Sequence, residues 1–600
     1  MKKYLYIIFS GLLTASCVNT ALLPDDKTVD EDFWKKKSDV ALMVNGAYAQ
    51  MTSADLIERL IVWGDLRSDE LVLSTGFNSG GIYRALQQVF TANIPITSQY
   101  TNWQSFYSAI NACNIVISRA ASVLNEDPSY TQSDYLNDIA QMKTLRSLCY
   151  FYLVRNFRDI PYITEAYMQN SQEMNAPQSS PETVLNGCIA DLVESAPNIL
   201  APGAYDGWKG KGWLNRDAVY SLLADIYLWK ASVHHNDPSY DASSDYRQAI
   251  YYCDLVIDSK NSAHVYDKTE VADPNNLYPA LAKYTNDYTH IFVTQNAEES
   301  IFEIQFSGSY ENYNSSGTPL GNTAVCKAYY KYSNNNSSFG YFSASTMFGA
   351  AGTGNTVFNQ IYDGRKIKFI YDCNGDAADQ YPIRKMISSA TSTYPYGAPT
   401  AAGEQSRNSK SRTFDRFAQN YIVYRMTDIM LMKAEAMTQL APEGDVDQLR
   451  QAYNIVKAVN DRAHPEGATS MSDTLRFTTG NSIQGSAFNT KAGMEELVME
   501  ERLRELCFEG KRWYDLLRYN YRHTEGVNYN VILADQQNYP ANYRQMINLV
   551  SRKSSDLSAL YSKMPTEPYL YLPIRENELK VNPELKQNPV YSSDDAWSKN

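Results

Sequence analysis

Cysteine is scarce in this chain, with eight among 600 residues. Cys17 ends the N-terminal segment, which leaves an odd number for the body and argues against a dense disulfide framework. Cys113, Cys149, Cys188, Cys253 and Cys507 fall in apolar, helix-like stretches, where a free thiol behaves as a small hydrophobe. Cys326 and Cys373 lie in loop-like sequence and are the pair for which a disulfide stays open. Histidine is scarcer still, at six, and no spacing matches a zinc site. His234-His235 follows a helix end, where a cation suits the helix dipole. Gly-x-Ser-x-Gly, a P-loop and His-Glu-x-x-His are all missing, so no catalytic residue is assigned. Asp372-Cys373-Asn374-Gly375-Asp376 is similar to a calcium loop but lacks the EF-hand spacing and the twelfth-position Glu. No cofactor is expected; a structural calcium ion at that loop is the one metal left open. Excess positive charge is missing too: 54 Lys and Arg stand against 67 Asp and Glu, a net charge of −13. That balance argues against nucleic acid as a partner and against electrostatic docking on an anionic membrane.

Long apolar runs are also lacking. The chain opens on Lys2 and Lys3, then an apolar run from Tyr4 to Leu13, then Thr14-Ala15-Ser16-Cys17. A basic start, a short apolar stretch and small residues before a break describe a secretory signal. The run is too short to span a bilayer, which takes about 20 apolar residues. Small residues ending on a Cys resemble a bacterial lipobox, although Thr14 stands where Leu is usual. Residues 1–17 are therefore expected to be a lipoprotein signal peptide, with Cys17 the lipidated first residue of the mature chain and residues 18–30 a tether. The body is expected to hang on a lipid anchor.

Tyrosine is what the chain has in abundance: 47, against 20 Phe and 8 Trp. Its ring offers an apolar face and a polar tip, which suits a wet binding surface as well as helix packing. Amphipathic spacing predicts helices over Asp39–Met51, Asn102–Leu124, Asp138–Asn156, Pro181–Ser195, a stretch capped by Asn215, and Asp245–Asp258. They come in consecutive pairs, as in tetratricopeptide-like hairpins that stack to bury a shared core. Residues 31–273 form this N-terminal helical part. From 274 to 419 the helical period fades into Tyr-, Asn-, Gly- and Ser-rich loops around one strand-like run, Ser300–Phe306. Helices return over 420–600, at Tyr424–Leu440, Asp447–Arg462 and Glu495–Arg518. The fold class expected is mainly α, with helical hairpins supporting a loop-rich region and a few short strands.

Several motifs then stand in order along the chain. Gly64-Asp65-Leu66-Arg67-Ser68-Asp69-Glu70, Leu145-Arg146 with Asp159-Ile160-Pro161, and Glu299-Ser300-Ile301-Phe302-Glu303 come first. Val423-Tyr424-Arg425-Met426-Thr427-Asp428 through Lys433-Ala434-Glu435-Ala436 follows, then Glu501-Arg502, Glu505-Leu506, Phe508-Glu509-Gly510, Arg512-Trp513-Tyr514-Asp515-Leu516 and Arg518. The last is Leu572-Pro573-Ile574-Arg575 with Asn582-Pro583 and Gln587-Asn588-Pro589-Val590-Tyr591. Together they span the mature chain and resemble the SusD/RagB family. The resemblance implies a surface lipoprotein of the outer membrane that binds an oligosaccharide, or in some members a peptide, and sits as a lid on a SusC-like TonB-dependent barrel transporter. It also implies no enzyme. In relatives the ligand-contacting aromatics lie after the Asp-Leu-x-Ser-Asp-Glu motif and in the insertion after the Glu-Ser-Ile-Phe-Glu strand. The matching segments here hold Phe77, Asn78 and Tyr83, then Tyr310, Tyr313, Tyr329, Tyr330 and Tyr332, with no Trp in either. Trp208 and Trp213, flanking a Gly-rich loop, are a second candidate.

The alternative from another class is a glycan-cleaving hydrolase, which needs only two carboxylates about 5–10 Å apart. Glu501, Arg502, Glu505, Glu509 and Arg512 alternate in sign at helical spacing and read instead as ion pairs along one helix face. Asp428 and Glu435 lie among apolar neighbours and are expected to pair with Arg.

Overall fold

The computed structural model describes residues 33–74, 77–168, 175–265, 276–281, 288, 290–306, 323–329, 340–348, 357–358, 363–365, 369–370, 381, 383, 385, 419–464, 476–478, 487–540, 544–553, 560, 564 and 566–591. Its fold is mainly α with a few two-stranded sheets. Helix α1 (Lys37–Met51) is followed by α2 (Ala54–Ile61), α3 (Gly81–Phe90), α4 (Gln104–Glu126), α5 (Gln132–Phe157), α6 (Pro181–Ser195), α7 (Arg216–Val233) and α8 (Ala242–Ala263). Most begin where a short polar side chain can accept an otherwise unpaired N–H. Ser53 accepts from Leu56, Thr131 from Asp134, Ser180 from Thr183, Asn215 from Ala218 and Asp241 from Ser244. Pro181 occupies the first turn of α6, where its missing N–H costs nothing. Helix α5 stops at Arg158, in the left-handed region at φ 65°, before β2 (Ile160–Pro161), which pairs antiparallel with β3 (Gln178–Ser179).

Neighbouring helices pair as hairpins, α4 with α5 and α7 with α8, and α1 and α6 extend the first pair. The stripes are buried as the spacing predicts: Val40, Val44, Ala47 and Met51 on α1, and Phe106, Ile110 and Cys113 on α4. The five described cysteines, 113, 149, 188, 253 and 507, are buried free thiols.

After α8, strand β4 (Ser300–Ile304) pairs antiparallel with β6 (Tyr421–Arg425), and helix α9 (Thr323–Tyr329) and β5 (Phe342–Ala344) lie between them in sequence. The end of the chain supplies α10 (Met426–Leu440), α11 (Val446–Arg462), α12 (Lys491–Leu506) and α13 (Arg512–Arg522). Helix α10 packs on α8 and on α11 and α12, so the first and last helical parts share one apolar core.

Two expectations are corrected here. The stretch expected as a helix from Tyr424 begins as strand: Tyr421–Arg425 belongs to β6, and the helix starts at Met426. The helix expected over Glu495–Arg518 is two helices. Phe508 at φ 65° and Gly510 at φ 73° turn the chain between α12 and α13, and side-chain periodicity does not register such a break.

Candidate ligand-binding face

Strand β1 (Leu71–Leu73) follows directly on the Gly64–Glu70 motif and pairs antiparallel with β5, Leu71 opposite Ala344 and Leu73 opposite Phe342. The Ser74 N–H donates to the Tyr341 carbonyl at 2.9 Å, and the Ser345 N–H to the Glu70 carbonyl at 2.7 Å. The Ser74 and Ser343 hydroxyls, 269 residues apart in sequence, are 2.9 Å from each other. This ladder brings two aromatic segments to one place. The Phe77 ring centroid lies 4.4 Å from that of Tyr341 at 29°, and Tyr83 meets Phe77 edge-on at 5.5 Å. Such pairs add about 0.5–1.5 kcal/mol beyond the area they bury.

Phe77 and Tyr341 are 6% and 7% exposed and act as the floor of the face. Tyr83 is half-buried and Asn78 exposed, so these two reach solvent beside Ile82. Polar groups stand nearby. The Tyr100 hydroxyl donates to Glu58 Oε1 at 2.8 Å. Burial raises the Glu58 pKa against the hydrogen bond from Tyr100 and the opposing charges of Arg59 and Lys327. Lys327 projects from α9 into solvent. The face thus offers aromatic carbon, a carboxylate, an amide and an ammonium.

Of the residues the sequence nominated, the structure brings Phe77, Asn78 and Tyr83 together. Tyr329 is placed elsewhere: it is 1% exposed, and its hydroxyl donates to Asp65 Oδ2 at 3.1 Å. It is a core residue in this structure, because α9 turns that ring toward α2 and the buried Asp65. Tyr310, Tyr313, Tyr330, Tyr332, Cys17, Cys373 and the calcium-like loop lie outside the described residues, as does the side chain of Cys326. Tyr341, Glu58 and Lys327 were not nominated. The alternation around Phe342-Ser343-Ala344 could have flagged Tyr341, but nothing local connects Glu58 to it.

Beneath the face the signature charges, read from the sequence as ion pairs along one helix face, are buried and pair for the most part with residues of other elements. Arg425 holds Glu505 Oε1 at 2.8 Å, Glu299 at 3.0 Å and Glu509 at 2.7 and 2.9 Å. Arg365 reaches Glu501 at 2.6 Å, and Lys385 reaches Glu509 at 2.6 Å. Asp428 pairs with Arg502 at 2.9 Å and Lys511 at 3.0 Å; Glu435 pairs with Arg518 at 2.8 Å and Arg522 at 2.7 Å, as expected for both acids. Burial alone would raise the Glu505 and Asp428 pKa values, but Arg462, Arg425 and Arg365 hold Glu505, and Lys511 and Arg502 hold Asp428, well below the usual carboxylate range. The face and its charged foundation are made by residues from separate parts of the chain, on a scaffold of helical hairpins.

That is the architecture of a helical scaffold protein presenting a loop-borne surface. The chain belongs to the SusD/RagB family: a family model described as "SusD family" matches residues 358–591, and one described as "Starch-binding associating with outer membrane" matches residues 24–228. The family is one of outer-membrane-associated carbohydrate-binding proteins. SusD-like protein P38 of Formosa agariphila is 23% identical over 562 residues, covering 91% of this chain and 96% of that protein. SusD-like protein P2 of the same organism is 24% identical over 539 residues, covering 86% and 91%. Among solved structures, a SusD homolog from Bacteroides thetaiotaomicron superposes with a TM-score of 0.65 at 18% identity, over 94% of this chain and 99% of that one. B. fragilis NanU superposes with a TM-score of 0.62 at 17% identity, over 95% and 100%.

Proposed function

We propose that this protein captures an oligosaccharide at the outer face of the outer membrane, held there by a lipid on Cys17, and passes it unaltered to a SusC-like TonB-dependent barrel transporter. The observation that carries the reading is the β1–β5 ladder. It joins the segment after the Asp-Leu-Arg-Ser-Asp-Glu motif to the insertion, the two segments that the family resemblance points to for ligand contact, in one aromatic face. Sugar rings lay their C–H faces on aromatic planes, and their hydroxyls would bond Asn78 and the Glu58 carboxylate. Binding rather than cleavage is supported by the ion pairing of the buried signature carboxylates with Arg or Lys. Among the described residues no helix is long and apolar enough to cross a membrane, which agrees with anchoring through a lipid.

The test is a binding screen of the chain lacking residues 1–17 against polysaccharides and a peptide digest in parallel. Retention by one glycan class, weakened roughly fivefold by Tyr83→Ala as one aromatic contact of about 1 kcal/mol is lost, supports the reading. Retention by peptides alone would overturn the sugar assignment, and release of shortened glycan would overturn binding without cleavage. For the anchor, Cys17→Ser in the full chain should move the protein from the membrane fraction to the soluble one.

A further inference from the structure

A groove of about 280 Å³ runs along α12, and none of its lining residues belongs to the β1–β5 face. Glu496, Met499, Glu500, Leu503 and Arg504 line it, a spacing that places all five on one side of the helix over two turns. Leu549, on helix α14 (Arg544–Val550), and Val357 of the insertion add to its apolar part.

The guanidiniums of the groove already have carboxylates. Arg512 donates to both Asp69 oxygens, at 2.8 and 3.0 Å, and to the Met499 carbonyl at 3.3 Å. Arg552 lies 3.9 Å from the same carboxylate. Arg504 Nε meets Glu501 at 2.9 Å, and its Nη1 is 3.6 Å from Glu500. The groove therefore does not call for an anion.

What it lacks is one acceptor and one donor. Arg504 is 2% exposed, and its Nη2 is buried with no hydrogen-bond partner among the described residues. Glu496 Oε2 is buried and equally without a donor. Buried polar atoms are nearly always bonded, and each one left alone costs about 1–3 kcal/mol. Both residues line the groove, eight positions apart on α12, a rise of about 12 Å. Between them lie Met499 and Leu503, with Leu549 across from α14.

This order of groups narrows the occupant. It must accept a hydrogen bond at one end, donate one at the other and cover aliphatic carbon in between. A sugar ring on that floor would bury hydroxyls against Met and Leu side chains without partners. An extended peptide carries carbonyls and N–H groups along its backbone and turns alternate side chains to one surface. Three residues at about 3.4 Å each match the span. We propose that the groove along α12 binds an extended peptide segment of about three residues with a central aliphatic side chain. One of its carbonyls accepts from Arg504 Nη2, one of its N–H groups donates to Glu496 Oε2, and the aliphatic side chain sits on Met499, Leu503 and Leu549.

The test is calorimetric titration of the chain lacking residues 1–17 with N-acetyl-Ala-Leu-Ala-amide, its Ala-Ser-Ala counterpart and maltotriose. Saturable binding of the leucine peptide is expected, with the serine peptide and maltotriose at least fivefold weaker. Glu496→Ala and Leu549→Gln, both at half-buried positions, should each lower the leucine-peptide affinity at least fivefold. Thermal melts of the two variants establish that each is folded. No binding of the leucine peptide by the folded wild-type chain would overturn the proposal. So would the serine peptide or maltotriose binding as tightly, or the folded variants binding like wild type. Glycan retention in Tyr83→Ala and leucine-peptide affinity in Glu496→Ala are separate readouts, so this proposal and the oligosaccharide-capture reading fail independently.

Discussion

At the scale of single residues, the buried charges govern how stability responds to mutation and pH. Arg425 is 1% exposed and holds Glu505 and Glu509 together with Glu299. Arg425→Met would leave those carboxylates buried beside fewer cations, and breaking a buried pair in this way costs about 3–5 kcal/mol. The expected result is a lower urea midpoint at unchanged m-value. Glu435 sits at about 2, because Arg518 and Arg522 outweigh its burial. Its folded pKa lies below its unfolded value near 4.5, so its stabilising contribution is complete above about pH 4.5 and is lost as pH falls toward 2. Asp65 behaves oppositely. Burial lifts it to about 7, against hydrogen bonds from Tyr329 and the Gly510 N–H, with the Glu509 charge adding to the rise. Its folded pKa exceeds the unfolded one, so its contribution is present below about pH 4 and is lost as pH rises through 7. Asp65→Asn should flatten the pH dependence of the unfolding midpoint between pH 4 and 7; an unaltered slope there would contradict the assignment.

At the scale of elements, two short connections carry more weight than their length suggests. Between α12 and α13, Gly510 takes φ 73°, and Gly64 packs directly on its carbonyl. A Cβ at 510 would collide with the Tyr421 hydroxyl, and one at 64 would run into the Gly510 backbone. Gly510→Ala adds about 1–2 kcal/mol of left-handed strain to that collision, so a loss of more than about 2 kcal/mol is expected in chemical denaturation. The β1–β5 ladder is the second connection. Ser74→Pro removes the N–H that bonds the Tyr341 carbonyl and should part the two aromatic segments. Glycan retention is expected to fall at least tenfold, more than for Tyr83→Ala. If retention is as strong as in wild type, the ladder does not build the binding face.

At the scale of the molecule, the first and last helical parts are not independent. Helix α8 lies against α10, strands β4 and β6 join residues about 120 apart in sequence, and the buried side chains form one continuous cluster. Unfolding is therefore expected as one transition, with far-UV and near-UV signals coincident in urea. Two separated transitions would mean that the halves hold their own cores.

The order of helices was legible in the sequence because hydrophobic period and capping are local. Pro181–Ser195 is a helix over those same residues, and Asn215 caps α7. The family motifs were legible as well, being runs of adjacent residues. The sequence likewise supplied Phe77, Asn78 and Tyr83, but only through resemblance. Tertiary structure decided the rest. It turned Tyr329 inward onto Asp65, broke the helix at Phe508–Gly510, and set Tyr341 against Phe77. It also drew Arg365 to Glu501 across 136 residues and Lys260 beside Lys211. The reason is physical. Periodicity reports which side of a helix is apolar, whereas the partner of a buried charge or ring is chosen by contacts between elements far apart along the chain.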